Sequence, residues 1–114
     1  MTLYRGVSAG HPDYPNAVNG MAVPSGLEGG HDDPDRHNAG DNDSIFTSWT
    51  MSRAVADYHA SKDGSGGVVL SREFAPGETV PSPDNFAELE VLVPGVVTGA
   101  RVEEPLGPGS PSAY

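Results

Sequence analysis

The chain contains no cysteine. That excludes a disulfide framework, a thiolate zinc site and a thiol nucleophile. Basic residues are scarce: 6 Lys and Arg stand against 16 Asp and Glu, a formal net charge of −10. A generic binder of nucleic-acid backbone neutralises phosphates with clustered cations, so that class is disfavoured. An acidic protein still suits a basic partner. No apolar run is long enough to span a bilayer. The opening "MTLYRGVSAG" lacks the basic and apolar regions of a signal peptide.

Glycine and proline are abundant, at 15 and 11 of 114 residues. A loop-rich fold follows, with one modest core, because a chain of this length fits a single domain. Acidic residues concentrate in 24–43, "PSGLEGGHDDPDRHNAGDND", which has little apolar content and reads as a loop.

The periodic segments are short. "TLYRGV" (2–7) reads as a strand, and a weak helical turn follows Pro15. Residues 44–49 form the next strand, and a helix runs from about Met51 to Ser61, closed by Gly64. "VVLSREF" (68–74), "AELEVLVPG" (87–95) and "VTGARVE" (97–103) are strands. Residues 75–86 form a proline-rich loop, and 105–114 a flexible tail.

Several side chains carry chemistry. Glu88 and Glu90 share a strand face, roughly 7 Å apart along the strand. Such a pair is either a solvated strand edge or two carboxylates that divide labour in acid–base work. Arg5, between Tyr4 and Gly6, is either a surface ion-pair partner or a rigid fork for an anion. Gly6 admits close approach of another group. In "FTSWT", Ser48 and Thr50 interrupt an apolar run just before a helix. Thr50 or Ser52 suits the helix N-cap. Trp49 fits either the core or a ligand-stacking wall, a role open also to Tyr4, Tyr14 and Phe46. His31 and His37 flank "DDPDR", and His and Asp are good metal ligands, but the spacing matches no zinc pattern, so loop residues beside the site are the favoured reading and no metal is expected.

The order of these motifs carries a resemblance. Aromatic-Arg-Gly comes first. Aromatic-x-Ser-x-Thr leads into "VADYHA", and Glu-x-Glu-Val-Leu-Val closes the series. The stretches "HN.G….FTSWT….VA" and "GVVL…SPD.F.E.EVLV.G" resemble ADP-ribosyltransferases of the Arg–Ser–Glu class. They look most like the small C-terminal toxin domains of bacterial polymorphic and Rhs-type effectors. The resemblance spans about residues 3–102.

It implies an α+β fold of two packed, mostly antiparallel sheets with short helices, a catalytic domain over 1–104 and a tail over 105–114. It implies NAD as co-substrate. Arg5, with Tyr4 and Gly6 beside it, would hold the NAD phosphates and ribose. Ser48, Trp49 and Thr50 occupy the Ser-Thr-Ser motif, with Trp49 where Thr is usual and Thr50 replacing the last Ser. Glu90 matches the catalytic glutamate and Glu88 the upstream member of Glu-x-Glu. The implied acceptor is a protein, with arginine associated with Glu-x-Glu, and nucleic acid is less favoured. A cognate immunity protein, a monomeric state and secretion into a target-cell cytoplasm belong to the same expectation. An NAD glycohydrolase and an inactive partner-binding domain are the rivals.

Overall fold

A computed structural model of the 114-residue chain describes residues 1–26, 30, 32–34, 37, 44–81 and 90–106. Six antiparallel strands make one sheet in the order β4-β5-β2-β1-β3-β6. They are β1 (Thr2–Val7), β2 (Phe46–Thr50), β3 (Val68–Glu73), β4 (Val80–Pro81), β5 (Glu90–Pro94) and β6 (Arg101–Glu103). The helices α1 (Tyr14–Ala17) and α2 (Arg53–Ser61) accompany them among the described residues, with a 3-10 turn at Pro76–Glu78. The α+β class is as expected. The second packed sheet is not found among the described residues, whose strands all join one ladder system.

Strand alternation sorts the side chains onto two faces. Leu3, Val7, Trp49, Leu70, Phe74, Val91 and Val93 gather on one face, closed by Ala17, Ala22 and Val97. Trp49 is fully buried there, edge-on to Phe74 at 5.0 Å between ring centroids. Tyr4 and Val69 face the other way, against Ala56 and Ala60 of α2.

The helix starts where its cap chemistry dictates. Ser52 is extended and its side chain accepts from the Val55 N–H. Thr50 Oγ1 accepts from the Ser52 N–H, so both hydroxyl residues named for the cap take part in the turn. Beyond α2, Gly64 sits at φ +97°, the left-handed position expected of it.

The edges of the sheet are short: two residues in β4, including Pro81, and three in β6. β6 is tied to α2 through Arg53, which bonds Asp57 at 3.0 Å, Glu103 at 3.3 Å and the Glu104 carbonyl at 2.9 Å. The Leu106 N–H donates to Asp57 Oδ1 at 3.1 Å. Leu106, assigned by the sequence to the flexible tail, is therefore tethered to α2, because the buried Asp57 carboxylate accepts its N–H beside the Arg53 bond. Residues 107–114 lie outside the described residues.

Gly6 brings α2 onto the sheet. A Cβ at this position would lie 1.9 Å from the Ala56 carbonyl oxygen, a backbone atom held in a helix. Gly6→Ala should therefore lower the unfolding free energy by at least about 1–3 kcal/mol, the scale of core overpacking. Gly77→Ala, where the same atom meets nothing within 4 Å, should stay within about 0.5 kcal/mol. Denaturant unfolding of both variants checks this; equal stabilities would mean that the helix does not rest on Gly6.

Candidate functional site

The site begins where two strands part. β1 pairs with β3 from Thr2↔Glu73 to Val7↔Val68, and β2 with β5 from Phe46↔Pro94 to Thr50↔Glu90. β1 and β2 register only at Tyr4↔Thr50. Past that pair their facing main-chain groups need other partners. The Arg5 guanidinium supplies one: its Nη1 donates to the Ser48 carbonyl at 3.0 Å. Its Nη2 donates to Asp13 Oδ2 at 3.3 Å, in a pair that is almost fully buried.

Asp13 is itself held. Asn16 Nδ2 donates to its Oδ1 at 3.0 Å, and the Val23 N–H donates to its Oδ2 at 3.1 Å. A buried ion pair persists only when its spare lone pairs are satisfied, and here they are. One donor is left over. The buried Nε of Arg5 has no hydrogen-bond partner among the described residues.

A cavity of about 780 Å³ opens at this point, within the usual range for a small-molecule site. Arg5, Gly6, Ser48 and Glu90 line it, although 85 positions of chain separate the first from the last. Glu90 is buried, at 6 % exposure, and pairs across β5–β2 with Thr50. Arg5 and Lys62 on the wall match Asp13 and Glu90 in number. The described lining is thus formally neutral in a chain of net charge −10, and repels an anion less than the rest of the surface does.

Three histidines face the same space. His11 Nδ1 accepts the Asp13 N–H at 2.9 Å, which leaves the proton of the neutral ring on Nε2. Burial, then the charge of Arg5, pushes its pKa below the ordinary value, against an opposing pull from Asp13. His59, on α2, is pushed down to about 4 by burial, with Lys62 and Arg5 adding to it. His37 is buried, and its ring nitrogens lie 2.6 Å from Ser44 Oγ and 2.9 Å from Ser48 Oγ.

The remaining expected residues are placed as follows. Trp49 is not among the lining residues: its ring is fully buried in the core with Leu3, Leu70 and Phe74, and its Nε1 donates to Thr47 Oγ1. Stacking of Trp49 on a ligand is therefore corrected. Thr50 is fully buried in the turn described above. Tyr4 packs beside α2, with Arg53 over its ring, and Tyr14 donates to the Gly66 carbonyl. Of the four aromatic candidates, Phe46 alone is among the described lining residues. Glu88 and His31 lie outside the described residues. No group of three or more potential metal ligands occurs among the described residues.

Asp13 and Ser44 were not singled out from the sequence. Asp13, in "HPDYP", reads as a turn residue, and nothing in its neighbourhood announces a partner on β1. The chain matches no protein-family model, no curated protein and no solved structure.

Two outcomes follow. Asp13→Ala leaves the buried Arg5 charge uncompensated, and should cost about 3–5 kcal/mol in unfolding free energy, whereas Asp13→Asn should cost less. Denaturant midpoints of the two variants measure the difference. His59 gives a pH dependence. Its folded pKa lies below the unfolded value, so the unfolded chain takes up the proton first as pH falls. Stability is complete above about 6.5 and declines towards pH 4. The half-exposed ring is screened, so the loss is about 1–2 kcal/mol at most. His59→Gln should flatten this slope in melts across that window. An unchanged slope would assign the pH dependence elsewhere.

Proposed function

We propose that the chain is an ADP-ribosyltransferase domain of the Arg–Ser–Glu class, with the two-sheet family fold as its framework. In this reading it cleaves NAD and transfers ADP-ribose to a macromolecular acceptor, as a toxin of a bacterial effector. The observation that carries the reading is the convergence of Arg5, Ser48 and Glu90 on one cavity. The same three positions carry the sequence resemblance.

The chemistry fits the residues. Breaking the bond between nicotinamide and ribose places positive charge on the sugar, as in glycoside hydrolysis. The Glu90 carboxylate, buried on the cavity wall, stabilises that charge. Arg5, held by its Nη1 bond to the Ser48 carbonyl and its Nη2 bond to Asp13, lines the cavity and sets a fixed cation beside the diphosphate. Phe46 supplies the apolar wall. Glu88 orients or deprotonates the acceptor, which is then a protein side chain such as arginine. Delivery to a target cell, an immunity partner and a monomeric state belong to the same proposal. No described helix is long and apolar enough to cross a membrane.

The test is nicotinamide release measured beside label transfer from NAD to whole-cell lysate. Glu90→Gln keeps the size and removes the charge, and should abolish both activities. Glu88→Gln should abolish transfer and keep appreciable hydrolysis. Parental nicotinamide release from Glu90→Gln would defeat the enzymatic reading. Hydrolysis without transfer in the parent protein would favour the glycohydrolase, and no NAD binding would favour an inactive partner-binding domain.

A further inference from the structure

His37 has no part in the proposed chemistry, yet it joins two serines of one segment. Its ring stands edge-on to Phe46, at 6.1 Å between centroids. From there it reaches Ser44 Oγ with Nδ1 and Ser48 Oγ with Nε2. Ser44, Phe46 and Ser48 alternate along the chain, so His37 straps this stretch on one side.

The proton order along the strap follows from counting donors. Ser44 is fully buried, and its Oγ already accepts the Phe46 N–H at 3.3 Å. A hydroxyl has one proton to place. The acceptor that the structure offers Ser44 is His37 Nδ1, at 2.6 Å. The reverse order would leave a buried hydroxyl proton without an acceptor among the described residues, the costlier arrangement. A neutral ring that accepts at Nδ1 carries its proton on Nε2, and so donates to Ser48 Oγ. The Ser48 proton is then turned away from His37. Ser48 is half-buried and lines the cavity.

We propose that His37, locked by Ser44 with its proton on Nε2, is a positioning residue that presents the Ser48 hydroxyl as a hydrogen-bond donor to an acceptor oxygen of the ligand. The identity of that ligand rests on the NAD reading: a ribose or carboxamide oxygen of the dinucleotide takes the bond. The proton order does not depend on it. A Ser48 nucleophile with His37 as its base would need the opposite order, with Nε2 accepting from Ser48. The strap runs against that chemistry.

The experiment is nitrogen NMR of histidine-labelled protein at mildly alkaline pH, with the His37 signals assigned by their loss in His37→Gln. The expected spectrum shows Nδ1 unprotonated and Nε2 protonated in the parent, with the distinction weakened in Ser44→Ala. NAD turnover is measured on the same proteins. Ser44→Ala and His37→Leu should raise KM about two- to ten-fold, the scale of one hydrogen bond, with kcat changed less. His37→Gln, which keeps a donor near the Nε2 position, should recover part of the loss. A parent ring protonated on Nδ1 would overturn the proposal, as would an unchanged KM in both Ser44→Ala and His37→Leu. A parent that does not bind NAD would refute the proposed function, and the ring tautomer would still decide this inference.

Discussion

The arrangement of the site depends on one guanidinium set between two strands. Arg5 occupies the place where β1 and β2 stop pairing, and it satisfies the Ser48 carbonyl that the ladder leaves behind. Such a group needs a counter-charge, because burying an isolated cation costs several kcal/mol. Asp13 supplies it, and thereby pins the segment before α1 against the sheet. The cavity exists because the strands separate, and they separate without exposing core because the cation and its partner fill the gap. Removing either member would alter both the stability and the shape of the opening.

Much of the fold was legible in the sequence, for local reasons. β1 and β3 follow from dense β-branched and aromatic content, and β1 has the expected bounds. The α2 region was readable from a hydroxyl cap at one end and glycines at the other, although the helix begins at Arg53 rather than Met51. Strand alternation in "EVLVP" puts Val91 and Val93 on the face opposite Glu90, and both reach the core. Gly6 was read as a point of close approach, and the approaching group is the backbone of α2. What was not legible were contacts set by tertiary register. The strand "VTGARVE" divides into a bridge from Val97 to Ala22 and a short β6 at Arg101–Glu103, since Gly99 at φ +72° interrupts it.

The site was legible in part for the same reason. Motif order singled out Arg5, Ser48 and Glu90, and all three line one cavity. Trp49 was left open between core and wall because one residue of register decides which face a strand side chain occupies; it takes the core, and its neighbours Ser48 and Thr50 point the other way. Asp13 escaped notice because its partner is Arg5, and only folding aligns the two. His37 was read as a loop residue near the NAD site, and what the sequence does not display is its bridge between Ser44 and Ser48.

The brevity of the outer strands has a consequence for how the protein meets its own copies. An exposed sheet edge is a row of unpaired amides and carbonyls that recruits further strands, in edge-to-edge association and in fibrils. Among the described residues, this sheet ends in a two-residue strand that contains proline on one side and a three-residue strand that carries charge on the other. Proline has no amide proton to donate, and Arg101 and Glu103 within β6, with Glu104 after it, resist an incoming chain of the same sequence. The long apolar strands β2, β1 and β3 all lie inside these guards. Lengthening either guard with apolar β-formers is the change that would convert a self-limited sheet into a template for aggregation.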